Sequence, residues 1–239
     1  MSTVDSKVVL ITGASGGLGQ VLVSEFLAQG WKVAAGWHRQ NSIPAHERLL
    51  PLQFDVTQSE AVDRAVSEIL DRWEHIDVLI NNAGVQSNQF CGELGDDDWD
   101  RVLDGNLKGA FLCSRAVVRS MLKRRSGHVI NISSFAARAG PRGQAHYAAA
   151  KAGLVGLTQS LAREAGRRNV QANVIFPGVL PTPMTAGLST EQLKIFAEAN
   201  VLGRINESAE VARFIAFLAG TQNISGQVFQ LDSRIAPWC

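Results

Sequence analysis

Short runs of apolar, often β-branched residues alternate along this chain with longer stretches in which apolar positions recur at i, i+3 and i+4. The short runs predict strands over residues 7–12, 32–36, 50–55, 77–81, 127–132, 170–176 and 227–231. The longer stretches predict helices over residues 18–29, 59–73, 97–124, 145–167 and 208–219. Strands that alternate with helices in this way are joined by crossovers and lie parallel. The expected fold is therefore α/β, a doubly wound parallel sheet flanked by helices on both faces.

Two places break the rhythm. Residues 38–49, between the second and third strands, are few and carry Pro44, which makes a full crossover helix doubtful. Residues 177–204 turn Pro-rich and then resume a helical pattern around 191–199. An insertion after the C-terminal end of a strand lies where open α/β sheets bind ligands, so residues from about 179 to 204 are expected to form a substrate lid. No composition shift, low-complexity linker or internal repeat divides the chain, and residues 1–239 read as a single domain.

Composition narrows the partners. The 46% of hydrophobic residues suffices for one sizeable core, and the formal net charge of +1 gives no global pull towards nucleic acid or an anionic membrane. Cys91, Cys113 and Cys239 have no metal-like or C-x-x-C spacing and read as reduced intracellular thiols. The chain shows no signal-peptide pattern at Met1, and no apolar run approaches the ~18 residues of a membrane span. A cytoplasmic protein with no metal, nucleic-acid or membrane partner is expected.

The chemistry concentrates at strand ends. The first strand runs into Thr12, Gly13, Ala14, Ser15, Gly16, Gly17, Leu18 and Gly19, then a helix. Glycines there let the backbone approach a pyrophosphate closely, and the helix start offers free N–H groups and a positive dipole end. In such folds the end of the second strand reads the adenosine ribose, an acid favouring NAD and a basic group the 2′-phosphate of NADP. Between Phe26 and His46 there is no Asp or Glu, whereas His38 and Arg39 close the strand. Arg39 is suited to pair with a phosphate, so NADP(H) is the expected cofactor. Further on, Tyr147 and Lys151 stand four residues apart in an Ala-rich helical pattern and share a face. A phenol with a pKa near ~10 is a poor acid/base at neutral pH, and an adjacent ammonium is expected to lower that value. Ser134, at the end of the strand that starts at Gly127, adds a hydroxyl able to hydrogen-bond a substrate carbonyl.

Together these motifs resemble the classical short-chain dehydrogenase/reductase family along almost the whole chain. Residues 12–19 match its cofactor loop, Asn81-Asn82-Ala83-Gly84 its N-N-A-G motif, and Tyr147/Lys151 its Y-x-x-x-K. Ser134, thirteen residues before Tyr147, matches the catalytic serine better than Ser133, and Asn106 matches the asparagine of the catalytic tetrad. The resemblance implies a Rossmann-type fold in which Tyr147 protonates a carbonyl oxygen while NADPH delivers hydride. Ser134 would polarise the carbonyl, Lys151 would lower the Tyr147 pKa and bind the nicotinamide ribose, and Asn106 would anchor a water-linked proton path. It further implies cofactor contacts from Asp55 and Val56 to adenine, from Asn82, Ala83 and Gly84, and from Pro177, Gly178, Leu180 and Thr182 to the carboxamide side. Ser134, Gln144, Tyr147 and Met184 are the expected substrate contacts.

Residues 143–154, 160–164 and 177–185 are most similar to β-ketoacyl-acyl-carrier-protein reductases, so a 3-oxoacyl thioester on acyl carrier protein or CoA is the expected substrate. A small secondary-metabolite ketone or alcohol is the alternative, and a catalytically silent dinucleotide sensor the remote one. The chain departs from the family at Gly16, where NADP users often carry a basic residue, and at Asp232-Ser233-Arg234, where Asp-Gly-Gly is usual. The resemblance also implies a homotetramer sharing helices 97–124 and 145–167. Its docking arginines for acidic acyl carrier protein match Arg125 and Arg168, with Lys123 and Arg124 beside them, expected to converge near the substrate entrance of their own or, across an interface, of a neighbouring subunit. Arg138 and Arg142, between the catalytic residues, are further candidates to attract an anionic substrate group. The Trp238-Cys239 tail has no assigned role.

Overall fold

The computed structural model describes residues 6–40 and 42–235. Seven strands, β1 (Val8–Ile11), β2 (Lys32–Trp37), β3 (Leu49–Gln53), β4 (Val78–Asn81), β5 (Gly127–Ile132), β6 (Val170–Phe176) and β7 (Val228–Gln230), form one sheet. Their spatial order is β3-β2-β1-β4-β5-β6-β7, and every neighbouring pair is parallel. The order reverses between β1 and β4, which opens a crevice at the C-terminal ends of those strands.

The two-residue strand period sorts the core into two layers. Val9 and Ile11 of β1 point into a cluster with Leu22 and Phe26 of α1 (Gly17–Ala28) and Val211 and Ile215 of α8 (Ser208–Ala219). Val8 and Leu10 point the other way, onto Val66 and Ile69 of α2 (Ser59–Trp73) and Val117 and Met121 of α4 (Gly109–Arg124). Because both faces are covered, β1 is buried at all four positions and reads as an unbroken apolar run.

Two elements differ from the sequence expectation. Residues 97–124 do not form one regular helix: α3 (Asp96–Leu103) passes through a five-residue π-turn, Asp104–Lys108, into α4. The helix carrying Tyr147, α6 (Ala145–Ala165), stops two residues early, in a 3₁₀ turn that ends at Asn169 with φ +57°. Between β2 and β3 the described residues form no helix, and the crossover is made by extended chain. Two short helices complete the fold: α5 (Ala136–Ala139) and α7 (Thr190–Glu198).

A buried histidine gives the sheet an acid-labile point. Asn173 accepts a bond from the Gln227 N–H at its Oδ1 and donates through Nδ2 to the Ile224 carbonyl, which fixes the amide orientation. Its Nδ2 also lies 2.8 Å from Nε2 of His128, so that nitrogen accepts and cannot take a proton. Burial pushes the His128 pKa down to about 4 from 6.5. The unfolded chain binds this proton near pH 6.5 and the folded chain only near pH 4. The contribution is therefore complete above about pH 6.5 and is lost as pH falls towards 4, by about 3 kcal/mol. Urea unfolding at pH 7.5 and 4.5 should show a smaller acid loss in His128→Gln than in the parent. Equal losses would remove His128 as the cause.

Candidate active site

The crevice between β1 and β4 widens into a cleft of about 1410 Å³ that reaches from the glycine loop to the end of β5. At its nucleotide end, the Thr12 hydroxyl accepts bonds from the Asn82 and Ala83 N–H groups, and Asn82 Nδ2 donates to the carbonyls of Thr12 and Gly13. These cross-strand bonds pin the loop after β1 against the N-N-A-G segment. Gly13 has φ +63°, and a Cβ there would lie 2.8 Å from the Ala83 Cα. A Cβ on Gly19 would lie 2.2 Å from the Gly13 carbonyl oxygen. Gly16 precedes α1 in extended conformation with no side-chain cap, so the first helical N–H groups remain available at the cleft. Ser15, Gly17 and Leu18 line the same end. The cradle fits a pyrophosphate.

At the ribose end, His38 and Arg39 are exposed and line the cleft. The acid-free stretch between Phe26 and His46 is only half of the local electrostatics, because the fold brings Asp55 from the end of β3 alongside. Asp55 Oδ2 lies 3.7 Å from His38 Nε2, while its Oδ1 accepts from the N–H and hydroxyl of Thr57. Val56 lies beside it on the cleft wall.

The catalytic candidates converge at the other end. Tyr147 and Lys151 sit one turn apart on α6, both buried, with Lys151 Nζ 5.5 Å from the tyrosine ring centroid. Lys151 Nζ donates to the Ile132 carbonyl at 2.9 Å, and Ser133 Oγ donates to the Lys151 carbonyl at 2.7 Å. Ser133 thus fastens β5 to α6, leaving Ser134, whose Oγ accepts the Ala136 N–H at 3.1 Å, as the serine beside the Tyr147 hydroxyl. Burial raises the Tyr147 pKa, and the neighbouring Ser134 hydroxyl opposes that shift only in part. This differs from the expectation that Lys151 holds the phenol down. Burial lowers the Lys151 pKa itself to about 8, and its ammonium is already bonded to a carbonyl. Asn106 lies in the π-turn, where Nδ2 donates to the carbonyls of Val85 and Val102 and Oδ1 has no partner among the described residues. A Cβ on Gly84 would fall 2.6 Å from that Oδ1. Without the extra residue of the π-turn, Asn106 would be rotated off this face.

The remaining candidates separate into those the fold gathers and those it does not. Pro177, Gly178, Leu180 and Thr182 follow β6 along the cleft, and a Cβ on Gly17 would lie 2.7 Å from the Thr182 Cβ. Gln144 reaches Asn88 through its amide, 2.9 Å away, and Met184 is half exposed at the rim. The expected lid contains α7, which has no buried side chain and lines the cleft with Gln192, Ile195 and Phe196. Arg142 lines the cleft, but Arg138 does not, its guanidinium lying over the Phe176 ring.

For Arg125 and Arg168, placement at the entrance of their own subunit requires a correction. They do converge, Arg125 Nη2 donating to the Arg167 carbonyl, yet they precede the starts of β5 and β6. Ser134 and Pro177 follow the ends of those same parallel strands. The six residues of β5 put the basic patch about 20 Å from the substrate end of its own chain, not near the entrance. Arg124 beside it is paired with Asp77. Among the cysteines, Cys91 and Cys113 are free thiols, and burial pushes Cys113 up to about 12. Cys239 and Trp238 lie outside the described residues.

Two features escaped sequence reasoning. Arg234, from the segment after β7, lines the substrate end, and its guanidinium stacks on Phe135 next to Ser134. His146, adjacent to Tyr147 in sequence, is fully buried with its Nε2 2.7 Å from Ser87 Oγ. The loss of the Asp-Gly-Gly pattern was the available signal for the first. Nothing local marked the second.

Residues 7–193 match the family described as short chain dehydrogenase. The chain is 36% identical over 241 residues to the 3-oxoacyl-[acyl-carrier-protein] reductase of Synechocystis sp., covering 97% of this chain and 98% of that protein. It is 35% identical to the enzymes of that name from Thermotoga maritima (97% and 98% covered) and Escherichia coli (95% and 96% covered). Among the described residues no helix is long and apolar enough to cross a membrane. A nicotinamide dinucleotide is the cofactor that this membership implies, and the glycine cradle fits one. The chain is an oxidoreductase that belongs to the short-chain dehydrogenase family.

Proposed function

We propose that this enzyme uses NADPH to reduce a 3-oxoacyl thioester, linked to acyl carrier protein or CoA, to the 3-hydroxyacyl form. The observation that carries the reading is one continuous cleft joining the pyrophosphate cradle to Ser134 and Tyr147, walled beyond them by Met184, Leu188, Ile195 and Phe196. An acyl chain suits that apolar wall, and the full-length relatives named as 3-oxoacyl reductases support the choice.

Nicotinamide supplies the hydride when bound. The substrate carbonyl oxygen would sit between Ser134 Oγ and the Tyr147 hydroxyl. As negative charge develops on it, both hydroxyls donate, and the phenol proton is transferred. A raised phenol pKa keeps Tyr147 protonated, the state needed for reduction. Lys151 supports the resulting phenolate as its charged form, present below about pH 8. Arg39 and His38 would pair with the 2′-phosphate, with Asp55 holding His38 beside it. Asn82, Ala83, Gly84, Pro177, Gly178, Leu180 and Thr182 would hold the nicotinamide end, and Gln144 and Met184 the acyl group. We read the segment around α7 as the substrate lid.

A homotetramer fits the half-exposed Trp99 and Phe111 on α3 and α4. Carrier-protein docking at Arg125 and Arg168 would then serve the cleft of a neighbouring subunit, given their distance from their own.

Initial rates with NADPH and NADH across 3-oxoacyl thioesters, plain ketones and secondary alcohols test the reading. The expected result is highest kcat/KM for NADPH with a 3-oxoacyl thioester, and loss of the NADPH preference in Arg39→Ala. Preference for a simple alcohol would favour the alternative dehydrogenase, and equal use of NADH and NADPH would reject the cofactor assignment.

A further inference from the structure

The segment after β7 folds back over the catalytic turn. Leu231 N–H donates to the Phe176 carbonyl, and Asp232 packs so closely on Gly178 that a Cβ there would meet its Cβ at 2.8 Å. Asp232 has a side chain only 2% exposed. Its Oδ1 accepts from Gln230 Nε2 at 2.7 Å, and its Oδ2 accepts from Arg234 Nε at 2.6 Å and pairs with Nη2 as well. The Arg234 Cζ stands 3.8 Å from the centroid of Phe135, the residue after Ser134, and Arg234 lines the cleft. Nε and Nη2 are engaged. Nη1 has no hydrogen-bond partner among the described residues, and it is not one of the polar atoms sealed from solvent.

Placing an ion pair in the wall of a largely apolar cleft costs desolvation, and an aliphatic side chain would cover Phe135 without that cost. Asp232 orients the guanidinium and balances its charge, which leaves a fixed, directional donor instead of a long-range attractor. We propose that Arg234 is a specificity-determining residue that donates through Nη1 to an oxygen acceptor on the substrate a few bonds from the reacting ketone. For the substrate class proposed above that acceptor is the thioester carbonyl; a free 3-oxo acid offers a carboxylate in the same place. The inference rests on the reading that Ser134 and Tyr147 receive the ketone.

The test compares the parent, Arg234→Lys, and the double variant Asp232→Asn/Arg234→Met, which leaves no buried carboxylate unpaired. Each is assayed with NADPH on a 3-oxohexanoyl thioester, on 3-oxohexanoate and on 3-hexanone. The ratio of kcat/KM for the acceptor-bearing substrate over 3-hexanone should fall roughly 10- to 100-fold in the double variant, as expected for loss of one hydrogen bond from a charged donor. The loss should lie mainly in KM, with Arg234→Lys intermediate. Whichever of thioester and carboxylate loses more identifies the acceptor. A parallel fall on all three substrates would make Arg234 a structural brace and overturn the proposal, as would an unchanged ratio. A parent with no preference for the thioester over 3-hexanone would overturn both this inference and the proposed substrate; a preference that survives in the double variant overturns this inference alone.

Discussion

Tyr147→Phe should lower kcat for carbonyl reduction by about 10²–10⁴-fold while leaving dinucleotide binding in place. The phenyl ring keeps its packing against Val102 and Ala136, and only the hydroxyl beside Ser134 is lost. No neighbour can replace it. Tyr147 is the only tyrosine in the chain, His146 is buried with Ser87 as its partner, and Lys151 is bonded to the Ile132 carbonyl. Steady-state rates on the preferred thioester, with a fluorescence titration of NADPH on the same preparation, separate chemistry from binding. A variant with near-parental kcat would refute Tyr147 as the proton donor.

Gly19→Ala is expected to weaken dinucleotide binding about 10- to 100-fold, the consequence of an overpacking strain of ~1–3 kcal/mol at the loop itself. Its Cβ would fall 2.2 Å from the Gly13 carbonyl oxygen and 2.8 Å from the Ala14 Cα, both backbone atoms with no rotamer to relieve the clash. The loop after β1 can move away only by giving up the bonds that hold it to Asn82 and Ala83. Gly16→Ala is the control. Its Cβ would meet only the Gly13 oxygen, at 3.3 Å, and its backbone is already extended. Titrations of NADPH into both variants, with circular dichroism to verify folding, should rank Gly19→Ala far below Gly16→Ala. Similar affinities would mean that close backbone approach at Gly19 is not what shapes the cradle.

How much of this was legible beforehand depended on how local each cause is. The strand-helix alternation follows from side-chain periods of 2 and 3.6, and five helical segments and seven strands were readable from it. Tyr147 and Lys151 share a face because four residues make about one helical turn, and residues 12–19 announce a loop because glycine alone tolerates those backbone positions. Ser134 was separable from Ser133 only through the family resemblance, whose serine stands thirteen residues before the tyrosine. The structure supplies the physical ground: Ser133 is turned in to bond the Lys151 carbonyl, leaving Ser134 to the cleft.

Tertiary packing decided the rest. The acid-free stretch pointed to a basic group at the ribose and the family resemblance put Asp55 at the adenine, but that Asp55 lies 3.7 Å from His38 is decided by the parallel pairing of β2 and β3, which sets their ends side by side. Arg125 and Arg168 were expected near a substrate entrance, their own or a neighbouring subunit's, and the parallel strands carry them to the N-terminal end of the sheet, away from their own, since residues before a strand and after it are separated by its length. Arg234 lies about a hundred residues from Phe135 in sequence and 3.8 Å from its ring in space. The order of the motifs and their local spacing, governed by backbone periodicity and turn sterics, made the family and its cofactor loop readable from the sequence alone. The placement of Arg234, for which a role in substrate choice is proposed, was set by contacts between distant segments, which exist only once the sheet has closed its order from β3 to β7.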